Sequence, residues 1–187
     1  MVKVLLGSSA FPDFKLWLDL ADGDAETVLR RTRRAGEAFA MGFEREATDL
    51  DAPVADAVLA VEGDYAPLFA HCQTPKQVAD VLGCLEAADL IDDADALEVA
   101  AAYEAITSEA EDDFADVLAR YVISTEWAGS DEASGAAYAR EVTMLSEGFA
   151  SAPYAEYVDW PRYWREQYRH GLVYGHYRSR FYVFREV

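Results

Sequence analysis

The acidic residues of this chain are concentrated in one segment. Of its 187 residues, 35 are Asp or Glu and 16 are Lys or Arg, which gives a formal net charge of −19. Residues 35–159 hold 28 of these carboxylates and four basic residues, a net charge of −24, whereas residues 160–187 hold six arginines and two glutamates. Because ionised carboxylates are costly to bury, we expect this segment to form short helices whose outer faces are acidic.

Composition and charge exclude several classes of protein. A chain that is 52% apolar and 13% aromatic is not a disordered acidic tail. No apolar run approaches the roughly 18 residues of a membrane-spanning helix, and the N-terminal apolar run is too short for a secretory signal. Phosphate repels carboxylate, so we expect no direct binding to nucleic acid or to an anionic membrane. The charge instead predicts a basic partner.

Local signals at the N-terminus predict strands followed by a helix. Residues 2–6 and 15–20 have the apolar pattern of two strands. Asp24 is a candidate N-cap for a helix that ends near Gly36. Residues 38–46 then predict a third strand, which gives a ββαβ order.

The middle of the chain is predicted to be helical. Thr74 and Pro75 form a helix-start pair, and residues 93–108 predict a second helix. A third helix is predicted from an apolar pattern that begins at Phe114 and ends at Tyr121. These short helices together would form a compact acidic bundle.

The C-terminal third predicts two helices and a hairpin. A helix is expected over about 131–146. Asp159 is a candidate N-cap for the next helix, which Gly171 would end. The last residues predict a β-hairpin that turns near residues 178–179. We therefore predict an α+β fold with three small units, residues 1–50, 51–120 and 121–187.

No catalytic or metal-binding pattern is present in the sequence. His71, Cys72 and Cys84 lack the fourth ligand and the paired spacing of a zinc site, so both cysteines are expected in the core as free thiols of a cytoplasmic protein. His170 and His176 have no recognisable nucleophile near them in sequence. The acidic run that begins at Asp92 lacks the Gly and the final Glu of an EF-hand. We expect no enzymatic activity, no cofactor and no metal.

Charge density suggests what the acidic segment would imitate. B-DNA carries one charge per about 1.7 Å of axis, so 24 net charges at that density would cover roughly 41 Å, or about 12 base pairs. A DNA-binding channel lined by Lys and Arg would accept such a surface and release counterions as it does with DNA.

The C-terminal sequence YVDWPRYWREQYRHG, with the aromatic hairpin that follows it, resembles ArdA-type antirestriction proteins. Glu166 stands where that pattern usually has Asp, and Trp164 where a small residue is usual. Residues 127–129 and 136–142 resemble the family as well, so the match is good over about residues 127–187. It is fair over residues 1–45, where residues 16–20 resemble the family's second strand, and only compositional between. The motif residues, which the resemblance places in a dimer interface or in the core, are Tyr157, Asp159, Trp160, Tyr163, Trp164, Arg165, Tyr168 and Gly171.

The resemblance implies a DNA mimic. Its units would lie in line to form an elongated acidic rod, and a homodimer would join through the C-terminal unit. The rod would occupy the DNA-binding site of Type I restriction-modification enzymes. The carboxylates expected to stand in for phosphates are Asp49, Asp51, Asp56, Glu62, Asp64, Asp80, Glu86, Asp89, Asp92, Asp93, Asp95, Glu98, Glu104, Glu109, Glu111, Asp112, Asp113 and Asp116.

Two other interpretations stay open on the sequence alone. An acidic protein of this kind can inhibit a different DNA-binding defence enzyme, in the manner of an anti-CRISPR protein. Alternatively, a halophilic enzyme would show the same acidity and the same excess of 13 arginines over three lysines. A halophilic enzyme should unfold at low salt, whereas a DNA mimic should bind its target best there.

Overall fold

A computed structural model describes residues 2–42, 54–110, 113–145 and 155–186. Its contacts divide the chain into two compact units. The first comprises Met1–Glu104 with Glu109–Asp116, and the second comprises Ala105–Ser108 with Val117–Val187. Each unit contains helices and one three-stranded antiparallel sheet, so the predicted α+β class is confirmed.

The first sheet joins strands from two distant parts of the sequence. Strands β1 (Val2–Gly7), β2 (Lys15–Asp19) and β3 (Ala57–Gly63) lie in the order β2-β1-β3. The predictions of β1 and β2 are confirmed. Strand β3 lies in the segment predicted to be helical, and it pairs with β1 of the first predicted unit.

Helix α1 (Ala25–Met41) is longer than predicted. Asp24 caps it as expected, since its carboxylate accepts a 2.6 Å hydrogen bond from the Thr27 N–H. The helix continues through Gly36, so the predicted end there and the predicted strand over residues 38–41 are wrong; residues 43–46 lie outside the described part. A Cβ on Gly36 would come within 2.9 Å of the Val54 Cβ. Gly36 therefore allows close packing rather than ending the helix.

Three helices follow in the first unit and its junction with the second. Helix α2 (Pro75–Ala87) begins with a capping box between Thr74 and Gln77, in agreement with the predicted start. Helix α3 (Ala94–Thr107) matches the prediction closely. Helix α4 (Phe114–Arg120) ends one residue earlier than predicted, because Tyr121 begins a strand. Short 3₁₀ turns occupy Leu20–Asp22, Ala66–Phe69 and, in the second unit, Ala155–Tyr157.

The second unit packs one helix on a sheet of order β4-β6-β5, and a second helix packs against the first. The predicted helices and hairpin are confirmed, whereas the first strand was not predicted. The elements are β4 (Tyr121–Glu126), α5 (Asp131–Met144), α6 (Trp160–Tyr163), a π-helical continuation of α6 over Trp164–Tyr168, β5 (Leu172–Tyr177) and β6 (Arg180–Arg185).

Sequence signals locate the boundaries of these C-terminal elements. Asp159 caps α6, since its carboxylate accepts the Arg162 N–H at 3.2 Å. Gly171 has a φ of +72°, the left-handed conformation that a glycine adopts without strain. Arg178, with φ +56°, lies in the tight turn between β5 and β6.

The compact units overlap only partly with the predicted segments. The boundary predicted near residue 50 falls outside the described residues, and the boundary predicted near residue 120 lies close to the junction at Asp116 and Val117. Among the described helices, none has the length and apolar character needed to cross a membrane.

Candidate acidic docking surface

The structure describes fourteen of the eighteen carboxylates predicted to imitate phosphates. The other four, Asp49, Asp51, Glu111 and Asp112, lie outside the described residues. Ten of the fourteen are exposed: Glu62, Asp64, Asp80, Glu86, Asp89, Asp92, Asp93, Asp95, Glu109 and Asp113. Three, namely Asp56, Glu98 and Asp116, are half-buried.

Glu104 cannot contribute to such a surface. It is the last of six consecutive buried residues of α3, Val99–Glu104, and is only 4% exposed. A phosphate mimic must meet a cation of the partner, so the prediction for Glu104 is wrong. Its position in the last turns of a helix packed on several sides explains the burial.

Several of the predicted carboxylates hold the fold together. Asp93 accepts the N–H groups of Asp95 and Ala96 at 3.1 and 3.0 Å, and so caps α3. Asp113 accepts the Asp116 N–H at 3.0 Å at the start of α4. These contacts occupy lone pairs that a partner cation would otherwise use.

Three other predicted carboxylates form hydrogen bonds or an ion pair within the first unit. Asp56 accepts the Ser9 N–H at 2.9 Å and also the Ser9 hydroxyl. Glu86 accepts the Ala25 N–H at 3.1 Å, which joins α2 to the start of α1. Asp80 forms a 2.7 Å ion pair with Lys76, one turn earlier on α2.

Four exposed carboxylates have no side-chain partner among the described residues: Glu62, Asp89, Asp92 and Asp95. Three of them lie in or beside the connection from α2 to α3. Asp89 adopts a φ of +57° just after α2 ends. This group is the part of the predicted set most available to a basic partner.

The histidine and cysteine candidates do not form a site. No group of three or more His, Cys, Asp or Glu side chains in the described residues is arranged to hold a metal ion. Cys72 and Cys84 are half-buried free thiols. Burial, with a smaller contribution from Glu104 and Asp80, raises the pKa of Cys72 from 9.0 to about 11. His176 stacks on Trp127 with ring centroids 4.3 Å apart.

The C-terminal motif forms a core. Trp164 is 1% exposed and packs among Tyr138, Phe181 and Val183. Burial and the adjacent Tyr168 raise the pKa of Tyr138 to about 12. Of the residues suggested for a dimer interface, Trp164 is therefore already buried within one chain, where it cannot contact a second copy.

The remaining motif residues lie at the surface or at its edge. Trp160, Tyr163 and Tyr168 are half-buried, whereas Tyr157 is 82% exposed. Arg165 forms a 2.8 Å ion pair with Glu132 of α5. Arg162 pairs with Glu166 at 3.0 Å, which raises the pKa of that guanidinium. Part of the positive charge of residues 160–187 is thus neutralised locally.

One candidate site was missed by sequence reasoning. A cleft of about 720 Å³ lies along β4, and two acidic side chains, Glu126 and Glu141, line it together with Trp127 and Arg180. The β-branched residues Val122, Ile123 and Thr125 are typical of a strand. That pattern could have revealed β4, although not the cleft.

No protein family, curated protein or solved structure matches this chain.

Proposed function

We propose that this protein is a DNA mimic that inhibits Type I restriction-modification enzymes by occupying their DNA-binding site. The observation that carries the proposal is the set of ten exposed predicted carboxylates, all of them in the first unit. A channel that binds DNA presents Lys and Arg toward phosphates, and exposed carboxylates meet the same groups. Such a protein acts in the cytoplasm and needs no catalytic residue.

The proposal includes an elongated arrangement of three small units and an acidic surface that runs along them. It also includes a homodimer joined through the C-terminal unit. Among the described residues of that unit, Tyr157 and Leu145, 82% and 77% exposed, are the large apolar side chains most open to a second copy. Small-angle X-ray scattering tests the elongation. Sedimentation of the wild type and of Tyr157→Ala tests the dimer. A wild type that sediments only as a 20.7 kDa monomer would exclude the homodimer.

The decisive experiment is competition with DNA on a purified Type I methyltransferase core. Wild-type protein should displace a labelled DNA duplex, and should do so best at low salt because the attraction is electrostatic. Failure to displace DNA at about 50 mM salt, a condition that favours this attraction, would exclude the proposed function. Displacement of DNA from a different defence enzyme only would identify the target as that enzyme.

Matched charge variants locate the surface. The first variant combines Glu62→Gln, Asp89→Asn, Asp92→Asn and Asp95→Asn. The control combines Glu26→Gln, Asp131→Asn, Glu156→Gln and Glu186→Gln, four exposed carboxylates outside the predicted set. Both variants lose four negative charges. Since one exposed ion pair contributes about 0–1 kcal/mol, the first variant should inhibit roughly ten- to hundredfold more weakly and the control should change little. An equal loss of inhibition in the two variants would mean that net charge, and not these four positions, determines inhibition.

A further inference from the structure

Strand β4 has one edge that the sheet does not use. The sheet order is β4-β6-β5, so in the described part of the chain no strand lies on the other side of β4. The Trp127 N–H donates to the Ser179 carbonyl at 3.2 Å, on the side of β6. Backbone groups of an antiparallel strand alternate in direction. Those of Ser124 and Glu126 therefore point to the open edge.

The open edge borders a cleft with room for another chain. The cleft of about 720 Å³ follows four consecutive residues of β4, from Ile123 to Glu126. Trp127, half-buried and stacked against His176, forms a wall at one end. A strand edge with unpaired backbone groups is the surface to which extended peptides add.

The charges around the cleft select the partner. Glu126 and Glu141 are exposed and have no ion-pair partner among the described residues. The one cationic group that lines the cleft, Arg180, directs its guanidinium toward the Ser124 carbonyl at 3.5 Å. The cleft thus favours a chain that carries Lys or Arg.

We propose that the open edge of β4 is a docking site for an extended basic peptide segment, which adds to the sheet as a fourth strand. Backbone hydrogen bonds to Ser124 and Glu126 would hold the segment, and the added strand would displace the Arg180 guanidinium from the Ser124 carbonyl. Glu126 and Glu141 would then select basic side chains over acidic ones. This site is separate from the carboxylates of the first unit, and it stands whether or not the protein imitates DNA.

The test titrates the full-length protein with the peptide acetyl-Lys-Val-Arg-Val-Lys-Val-amide and follows backbone amides by NMR. Binding should shift the amides of Ser124 and Glu126 and protect them from hydrogen exchange. A peptide with Glu in place of Lys and Arg should not bind. The same basic peptide N-methylated at every backbone amide should also fail, because neither of its edges can then donate a backbone hydrogen bond to β4.

Two variants separate charge from folding. Glu126→Gln with Glu141→Gln should weaken peptide binding roughly five- to tenfold, whereas Asp131→Asn with Glu156→Gln, an equal charge change elsewhere in the unit, should not. The proposal is overturned if the N-methylated peptide binds as well, if shifts fall elsewhere, or if the double Gln variant keeps full affinity. Concentration-dependent shifts at Ser124 without peptide would instead make a second copy the occupant and would also overturn it.

Discussion

Gly135 of α5 and Trp164 of the π-helical segment are in closer contact than any residue with a side chain at position 135 would allow. A Cβ built on Gly135 would lie 2.1 Å from Cε2 and 2.4 Å from Nε1 of Trp164. Here the large indole fills the core of the second unit, and the glycine on the facing helix leaves space for it.

Gly135→Ala should therefore destabilise the second unit. The added methyl group must displace a buried indole that already packs against Tyr138 and Phe181, and overpacking of this kind costs about 1–3 kcal/mol. Urea denaturation followed by tryptophan fluorescence measures the change. Gly83→Ala is the control, because a Cβ there meets nothing within 4 Å. In the interior of α2 it should stabilise by up to about 1 kcal/mol. Similar stability changes in both variants would contradict the packing explanation.

Local signals were enough to predict most helices. Asp24, Thr74 and Asp159 each accept a backbone hydrogen bond at the helix start that the sequence predicted. The strands β3 and β4 were missed because their partners are distant in sequence: Val4 of β1 pairs with Val61, and Thr125 pairs with Phe181. A local pattern can suggest that a segment is a strand, as the β-branched residues of β4 do, but it does not say which strand is its partner.

For the candidate surface, the sequence predicts the net charge but not which carboxylates are exposed. The sequence predicts which segment is acidic, because side-chain identity alone sets the net charge. It does not distinguish Glu104, buried on a helix packed on several sides, from Glu62, which is exposed. Gly36 shows the same limit, since its contact with Val54 reverses the usual interpretation of a glycine as a helix end.

Asp93 and Asp92 should respond differently to truncation although they are neighbours. Asp93→Ala removes the cap of α3 and should lower the free energy of unfolding by about 0.5–2 kcal/mol. Asp92 has no side-chain partner among the described residues, so Asp92→Ala should change stability by less than about 0.5 kcal/mol. Urea denaturation monitored by circular dichroism compares the two. An equal loss in both variants would show that Asp93 is not a structural carboxylate.

The Cys72 thiol should react slowly in the folded protein. Its pKa is raised from 9.0 to about 11 by burial, so at pH 8 the reactive thiolate is about a hundredfold scarcer than in the unfolded chain. Mass spectrometry of the Cys84→Ser variant, alkylated with iodoacetamide, measures the rate at Cys72 alone. Urea-unfolded protein serves as the reference, and equal rates in the two states would contradict the shift.

The second unit should lose stability in alkali because the Tyr138 phenol ionises more readily in the unfolded chain. Burial and Tyr168 raise its pKa from 10.0 to about 12, so above pH 10 the unfolded chain releases this proton more readily than the folded one. The contribution is complete below pH 10 and is lost as the pH rises through 12. Thermal melts of the wild type and of Tyr138→Phe test this prediction. They span about pH 9 to 11.5, a range that covers ionisation of the phenol in the unfolded chain. The melting temperature of the wild type should fall further across that range than that of the variant. Tyr157→Phe, which changes an exposed phenol, should follow the wild type, and a Tyr138→Phe curve parallel to both would show that this phenol ionises alike in both states.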